Sequence, residues 1–197
     1  MEFEEMLDRH HSDDAGFCRH YMLLYSIVLG MEAKSVFEFG SGYSSKTILK
    51  ALSKTGGHLY SCDERPLKLT GHKYDINDDD MKEYGNNWTY ILGKSQDVKG
   101  RFPDVLFDVV LHDGSHDWRY VKRDLECIVP KIKNGGILLV HDTAHPTHNY
   151  GLLKSVEYLK EKGHEILTLP FGYGLTLVRV VNSSNPSIEI NWRKTSN

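Results

Sequence analysis

Cysteine is scarce in this chain, and its three cysteines, Cys18, Cys62 and Cys127, are far apart. Their odd number and wide spacing fit neither a disulfide framework nor a Cys-x-x-Cys metal knuckle. The chain also lacks an apolar run approaching the ~18 residues that cross a bilayer. Its first residues, Met1-Glu-Phe-Glu-Glu, are acidic where a secretory signal is basic. We therefore expect a soluble protein of the reducing cytoplasm, without a membrane partner.

An excess of one charge sign is absent as well. Lys and Arg total 24 against 27 Asp and Glu, a net charge of -3, so the chain offers no uniform basic field to a nucleic acid. With 40% hydrophobic residues in 197, it has ordinary globular composition and enough length for one core. We expect a single domain over 1–197, with a helical appendage over 1–31, a core over 32–181 and a polar tail over 182–197.

Strand-like and helix-like segments alternate through the core. Apolar runs predict strands over 35–40, 58–62, 88–92, 107–112 and 136–141. Two last strands, 164–169 and 174–181, are separated only by Pro170-Phe-Gly-Tyr, too little for a helical crossover, so they must pair antiparallel. The pattern predicts an α/β fold of the Rossmann-like type: a mostly parallel seven-stranded sheet with helices on both faces and a ligand beyond the carboxyl ends of the strands.

Three segments outside these strands carry further expectations. A helix is expected over 13–31, and an amphipathic helix over 116–132, with Asp124 among the charged residues of its solvent-facing side. Residues 65–87 are polar and irregular. Within them, Asp75-x-Asn77-x-Asp79 resembles the opening of a calcium loop but lacks the glycine and glutamate such a loop requires, which favours a solvated acidic loop.

The turn after the first strand has the composition of an anion-binding loop. Gly40-Ser41-Gly42 follows a strand, and a helix begins near Ser45, which stands where a third glycine is common. Glycine lets the backbone approach a ligand closely, and the first N–H groups of a helix attract an anionic group. We expect these four residues to hold the carboxylate end of a cofactor. A plain strand-to-helix turn remains an alternative.

Acidic residues at the ends of the first two strands narrow the choice of cofactor. Asp63 and Glu64 end the second strand, where a carboxylate can accept hydrogen bonds from both hydroxyls of a ribose. Glu38, two residues before Gly40, would repel the pyrophosphate of a dinucleotide but suits the cationic sulfonium and ammonium of S-adenosylmethionine. The methyl donor is therefore favoured, with a nicotinamide dinucleotide as the alternative.

A second polar group follows the fourth and fifth strands. Asp113 ends one, and His141 and Asp142 end its neighbour, so two carboxylates and an imidazole should converge and could bind Mg²⁺ or Mn²⁺. The alternative is that Asp142 only caps the next segment. His145 and His148 could complete a zinc set with His141, although loop spacing without cysteine argues against it.

Four segments together resemble a known family. They are Phe37-Glu-Phe-Gly-Ser-Gly42, Ser61-Cys-Asp63, Leu111-His-Asp-Gly-Ser-His116 and Leu139-Val-His-Asp-Thr143. In this order they are similar to the motifs of the small Rossmann-type methyltransferases grouped as methyltransferase domain family 24.

The resemblance implies S-adenosylmethionine as cofactor and an antiparallel last strand. It also implies that Ser95 or Gln96 contacts the adenine side, although Lys94 replaces an acid common in relatives. In related metal-dependent O-methyltransferases, acids occupy the positions of Asp113 and Asp142, and a lysine base occupies that of His116. Histidine titrates near neutrality, so His116 is a candidate general base, with a helix cap as the alternative.

We thus expect methylation of a small-molecule hydroxyl, with Asp113, His116 and His141 as catalytic residues and with Asp113 also in contact with the cofactor. Alternatives are a nitrogen or macromolecular acceptor, or a non-catalytic cofactor-binding module of the same fold. Little chain remains for a lid, so the acceptor pocket is expected to be open or completed by a second subunit of a homodimer.

Overall fold

The computed structural model describes residues 4, 6–7, 16–67, 76, 78–147 and 150–181. A 3-10 turn at Gly16–His20 leads into helix α1 (Tyr21–Gly30). The elements then follow in the order β1 (Ser35–Phe39), α2 (Tyr43–Thr55), β2 (His58–Asp63), α3 (Asp78–Tyr84), β3 (Trp88–Leu92), α4 (Ser95–Val98), β4 (Phe107–His112), α5 (Trp118–Ile128), β5 (Ile132–His141), α6 (Tyr150–Glu161), β6 (Glu165–Leu169) and β7 (Leu175–Arg179).

The strands form one sheet in the order β3-β2-β1-β4-β5-β7-β6. Strands β1 to β5 pair in parallel, and β7 lies antiparallel between β5 and β6. The short turn before β7 forces this hairpin, because a parallel return needs a crossover of a dozen residues or more. The predicted seven-stranded, mostly parallel Rossmann-like sheet is therefore confirmed.

The core lies on both faces of the sheet. Successive side chains of a strand point to opposite faces, so Val36 packs into a cluster with α1 and α2 while Phe37 and Phe39 pack into one with α5 and α6. All three are essentially buried. Covering both faces leaves the carboxyl-end edge of the parallel strands as the place where polar side chains can gather.

Helix α5 corrects two expectations. It begins at Trp118, not at 116, because Asp117 is its N-cap and accepts a hydrogen bond from the backbone N–H of Arg119. His116 therefore lies before the helix and does not cap it. Asp124 was expected to face solvent, and this is wrong: it is 4% exposed.

The segment expected to be irregular contains a short helix, α3. Within α3, Asp80 forms an ion pair with Lys46 of α2 at 2.7 Å, and both side chains are largely buried. This ion pair joins α3 to α2. Asp79 and Asp80 are helical, which does not fit a calcium loop, and Asp75 and Asn77 lie outside the described residues.

The remaining expectations differ from the structure mainly at element boundaries. The described part of the first predicted helix is a 3-10 turn followed by α1, and β5 begins at Ile132 where 136 was expected. His148 and the tail over 182–197 lie outside the described residues. Among the helices that the structure describes, none is long and apolar enough to cross a membrane.

Candidate cofactor and active site

A cavity of about 380 Å³ opens at the carboxyl ends of β1, β2, β3 and β4. This volume is in the range of small-molecule sites, which run from about 300 to 1,000 Å³. Its lining comprises Phe39, Gly40, Cys62, Asp63, Glu64, Arg65, Gly93, Lys94, Ser95, Gln96, Asp113, Gly114, Ser115, Tyr120 and Asp124. The cavity thus contains six residues predicted to bind a cofactor: Gly40, Asp63, Glu64, Ser95, Gln96 and Asp113.

Gly40 lies where the ends of β1 and β4 are in close contact. Its φ is 89°, a conformation that L side chains rarely adopt, and a Cβ at this position would lie 2.5 Å from the backbone carbonyl oxygen of Asp113. The Asp113 N–H donates to the Phe39 carbonyl at 3.0 Å, and the Gly40 N–H to the Cys62 carbonyl at 2.9 Å. Glycine therefore permits β1 and β4 to end side by side beneath the cavity.

The other residues predicted in this loop, Ser41, Gly42 and Ser45, do not line the cavity. Ser45 is fully buried, accepts a hydrogen bond from the Gly42 N–H at 3.1 Å, and lies 3.1 Å from the Ser41 hydroxyl. Its hydroxyl therefore fixes the start of α2. In this structure Ser45 shapes the loop and offers no surface to a ligand.

Glu38 also differs from the expectation. Its carboxyl is completely buried beneath the loop, where the hydroxyls of Ser44 and Ser45 donate to Oε1 at 3.0 and 2.8 Å and that of Ser61 to Oε2 at 3.4 Å. Burial raises the pKa of Glu38 to about 8 despite these hydrogen bonds. Glu38 is therefore not among the lining residues of the cavity and is largely uncharged at neutral pH, and its contact with the cofactor stays a prediction.

Asp63 lies in the cavity but has a partner. The Arg65 guanidinium donates to both of its carboxylate oxygens, from Nε at 3.2 Å and from Nη2 at 2.8 Å. The same Nη2 donates to the Ser41 carbonyl at 3.1 Å, which joins β2 to the loop. A ribose on Asp63 would have to share or replace these donors. Arg65 was not identified from the sequence, because its position depends on an irregular turn.

Glu64 and Lys94 lie at the mouth of the cavity. Their charged groups are 3.8 Å apart, and both side chains are more than half exposed. An exposed pair of this kind contributes little to stability. Lys94, the departure from the family pattern, therefore faces an acid across the entrance.

A hydrogen-bonded polar group, in which Asp124 is buried and Ser95 and Gln96 are partly exposed, closes the end of the cavity near β3. Ser95 donates its hydroxyl to Asp124 Oδ1 at 2.6 Å, and Gln96 Nε2 donates to Ser95 Oγ at 2.7 Å. His112 Nε2 lies 3.3 Å from Asp124 Oδ2. Sequence reasoning missed Asp124, although a signal existed: with Val121, Leu125 and Ile128 it occupies the inward stripe of α5, one helical turn apart.

Asp113, His141 and Asp142 converge as predicted. His141 Nδ1 lies 3.0 Å from Asp113 Oδ1 and 3.3 Å from Asp142 Oδ1, while its Nε2 lies 3.3 Å from the Gly172 carbonyl. Burial would lower the pKa of His141, but the charge of Asp113 raises it to about 10. Both ring nitrogens thus face acceptors, and His141 is a cation that donates to each. This arrangement disfavours His141 as a base.

Asp142 is held in an unusual conformation. Its φ is 58°, in the left-handed region that non-glycine residues seldom occupy, a form of strain that concentrates at functional sites. Burial opposes its ionisation, but a hydrogen bond from His116 and the positive charge of His141 hold the pKa of Asp142 well below its usual range. His116 Nε2 lies 3.1 Å from Asp142 Oδ2 and is partly exposed.

A metal ion would fit this group. One ligand atom from each of Asp113, His141 and Asp142 lies within 4.8 Å of the others. Asp142 Oδ1 is buried and accepts no hydrogen bond of good geometry from the described residues. His145 is not part of the group; its ring packs on Tyr173. The zinc alternative therefore has no support from the described histidines.

The N-terminal segment covers one side of this centre. Phe17 and His20, from the 3-10 turn, pack against the His141 ring with centroids 4.7 and 5.4 Å away. Burial and the neighbouring His141 lower the pKa of His20 to about 4. This segment therefore excludes water from one face of His141.

Comparison with known proteins identifies the same architecture. A family profile described as "Methyltransferase domain" matches residues 37–143 of the 197, a range that includes the Gly40 turn, Asp63, Asp113 and Asp142. No curated protein sequence matches the chain.

Several solved structures share the fold. A candidate caffeoyl-CoA O-methyltransferase from Staphylococcus aureus superposes with a TM-score of 0.70 at 14% identity, over 91% of this chain and 92% of that one. The O-methyltransferase TomG of Streptomyces achromogenes, involved in tomaymycin synthesis and solved with SAM, gives 0.66 at 17% identity, over 91% and 89%. The SAH-bound methyltransferase PaMTH1 of Podospora anserina gives 0.67 at 19%, over 91% and 86%. At these identities the likeness establishes the fold.

Proposed function

The chain belongs to the methyltransferase domain family, and we propose that it transfers the methyl group of S-adenosylmethionine to a hydroxyl oxygen of a small molecule. The observation that carries this proposal is one continuous edge of the sheet. A cavity holding the strand-end acid Asp63 runs along it to Asp113, where His141, Asp142 and His116 gather.

The cavity suggests how the cofactor lies. Asp63 is positioned at the end of β2 to accept the ribose hydroxyls, as strand-end acids do in Rossmann-like folds. The adenine then lies toward Ser95 and Gln96, beyond β3, and the methionine part toward Gly40 and Asp113. This places the sulfonium near the Asp113 end.

The reaction is a displacement at the methyl carbon. A lone pair of the acceptor oxygen attacks this carbon in line with its bond to sulfur, that bond breaks, and its electron pair stays on sulfur, leaving a neutral thioether. The hydroxyl proton passes to His116, whose imidazolium is stabilised by Asp142 at 3.1 Å. Without a bound metal, His141 is a fixed cation between the two carboxylates.

Asp113, His141 and Asp142 are the residues that would hold Mg²⁺ or Mn²⁺. Such an ion, when bound, acidifies a hydroxyl and neutralises the alkoxide that forms. Because the pKa of His141 is raised to about 10, binding would require the ring to lose its Nδ1 proton to the solvent. Metal affinity should therefore rise with pH.

The protein's setting is a further part of the proposal. None of the three cysteines, all of which lie in the described part of the chain, forms a disulfide, which agrees with a reducing cytoplasm. We propose a single domain that acts on a small molecule without nucleic-acid or membrane partners, and a homodimer if the acceptor pocket needs a second subunit.

Incubation with methyl-labelled S-adenosylmethionine and a panel of catechols, sugars and other hydroxyl compounds tests this function. Mass spectrometry should find the label on an acceptor oxygen, and S-adenosylhomocysteine in equal amount. Label found only on nitrogen, or no turnover across a broad metabolite extract despite tight cofactor binding, would contradict O-methylation. The His116→Ala variant controls for uncatalysed transfer.

A further inference from the structure

Asp124 is a buried charge that the reaction does not use. It is 4% exposed and faces inward from α5 among apolar neighbours. Carboxylates are rarely buried unless hydrogen-bonded, and Asp124 has two partners, the Ser95 hydroxyl and His112. It also lines the cavity. The helix α5 does not need a carboxylate at this buried position in order to form. The groups around Asp124 must therefore explain why a carboxylate is buried there.

The hydrogen bonds here have fixed directions. A carboxylate only accepts, so the Ser95 hydrogen points to Asp124 across 2.6 Å. Ser95 Oγ can then only accept toward other groups, and Gln96 Nε2 donates to it at 2.7 Å. That donation turns the Gln96 amide so that its nitrogen faces Ser95. Asp124 therefore leaves two hydrogen-bond acceptors at this end of the cavity, Ser95 Oγ and its own carboxylate, beside the second N–H of the Gln96 amide.

These two acceptors discriminate between purines that lie against them. The 6-amino group of adenine donates hydrogen bonds, whereas the 6-oxo group of hypoxanthine is an acceptor and would meet other acceptors. Two acceptors that face each other without a shared hydrogen both lack a hydrogen bond. This lowers the affinity for a ligand more than the loss of one apolar contact does. These acceptors thus give a physical reason for the cavity to bind a 6-amino-purine more tightly than a 6-oxo-purine.

We infer that Asp124 is a positioning residue that holds the Ser95 hydroxyl as an acceptor and thereby makes this end of the cavity select an amino-purine over an oxo-purine. The inference rests on the proposed function, because it assumes that the base of the cofactor lies toward Ser95. Asp124 acts through Ser95, and its effect should appear in ligand choice, not only in stability.

Two ligands that differ at one position test this. S-adenosylhomocysteine and S-inosylhomocysteine are titrated calorimetrically into the unmodified protein, Asp124→Asn and Asp97→Asn. Asp97→Asn is the matched control, since Asp97 is an exposed carboxylate two residues from Ser95 that does not line the cavity. The asparagine amide can donate to Ser95, so the hydroxyl hydrogen is released toward the ligand.

The unmodified protein and Asp97→Asn should prefer the adenosyl ligand by at least about 30-fold. Asp124→Asn should reduce that preference by about tenfold, with part of the change being tighter inosyl binding. If Asp124→Asn does not fold, Ser95→Ala provides the second variant and should narrow the ratio as well.

The outcomes separate the two claims. An unchanged ratio in a folded Asp124→Asn or Ser95→Ala variant overturns the role of Asp124 while leaving the proposed function intact. Equal loss of both ligands assigns Asp124 a purely structural role, which also overturns the inference. If the unmodified protein binds neither ligand, the proposed function itself fails.

Discussion

Replacing Gly40 with alanine should destabilise the domain far more than the same change at Gly42. At Gly40 the backbone has a φ of 89°, and a Cβ would lie 2.5 Å from the Asp113 carbonyl oxygen. At Gly42 a Cβ meets nothing within 4 Å. The two glycines are two residues apart in one loop, so each is a control for the other.

The expected magnitude follows from two contributions. A side chain at positive φ costs about 1–2 kcal/mol, and relieving an overpacked contact with backbone costs about 1–3 kcal/mol. Relief at Gly40 would require β1 and β4 to separate where Asp113 bonds Phe39. We therefore expect Gly40→Ala to lower the free energy of unfolding by about 2–5 kcal/mol, and Gly42→Ala, at a helix N-cap, by about 1 kcal/mol or less.

Urea denaturation followed by circular dichroism measures the difference. With a slope of about 2 kcal/mol per molar urea, the Gly40→Ala midpoint should fall by roughly 1–2.5 M and the Gly42→Ala midpoint by much less. Equal midpoints for the two variants would refute the claim that Gly40 is required by contact between strand ends.

Three further predictions concern His116, the group of Asp113, His141 and Asp142, and the buried Glu38. His116→Ala should lower kcat by about 10²–10⁴-fold with cofactor affinity nearly unchanged; full turnover per folded molecule would remove His116 as the base. Exhaustive chelation should abolish turnover, and Mg²⁺ or Mn²⁺ should restore it, whereas unchanged activity would make Asp113 and Asp142 orienting groups. Because burial raises the pKa of Glu38 from 4.5 to about 8, the folded state keeps a proton that the unfolded state loses. The free energy of unfolding, measured relative to that of Glu38→Gln, should be highest below pH 4.5 and should fall by up to about 1.4 kcal/mol per pH unit until about pH 8. If the two proteins show the same dependence of unfolding free energy on pH between pH 5 and 8, this prediction is wrong.

The sequence predicted the edge of the sheet better than the direction of individual side chains. Parallel strands place their carboxyl ends together, so Asp113, His141 and Asp142 could be expected to meet, and they do. The same rule placed Asp63 in the cavity. These predictions needed only strand periodicity and the order of the elements.

The directions of two charged side chains were mispredicted, because their charge suggested exposure while their place in the strand or helix buries them. Glu38 alternates with Phe37 and Phe39 and so shares a sheet face with Val36, beneath the start of α2. Its carboxyl is neutralised there and does not line the cavity. Asp124 falls on the inward stripe of α5, but its charge favoured a solvent-facing assignment. Here the helical period was the better guide.

Contacts made by irregular segments could not be predicted from the sequence. Arg65 reaches Asp63 and the Ser41 carbonyl through a turn with no periodicity. The packing of His20 on His141 likewise depends on how the 3-10 turn crosses the sheet edge. Such contacts need the tertiary structure.

Calorimetric titration of S-adenosylhomocysteine into the unmodified protein and Asp63→Ala measures whether the acid at the end of β2 binds the cofactor. We expect binding to weaken by about 1.5–3 kcal/mol in Asp63→Ala. The control variant Asp104→Ala, which removes an exposed carboxylate outside the cavity, should bind like the unmodified protein. Equal affinity for Asp63→Ala, or tight binding of NAD in place of S-adenosylhomocysteine, would contradict this expectation.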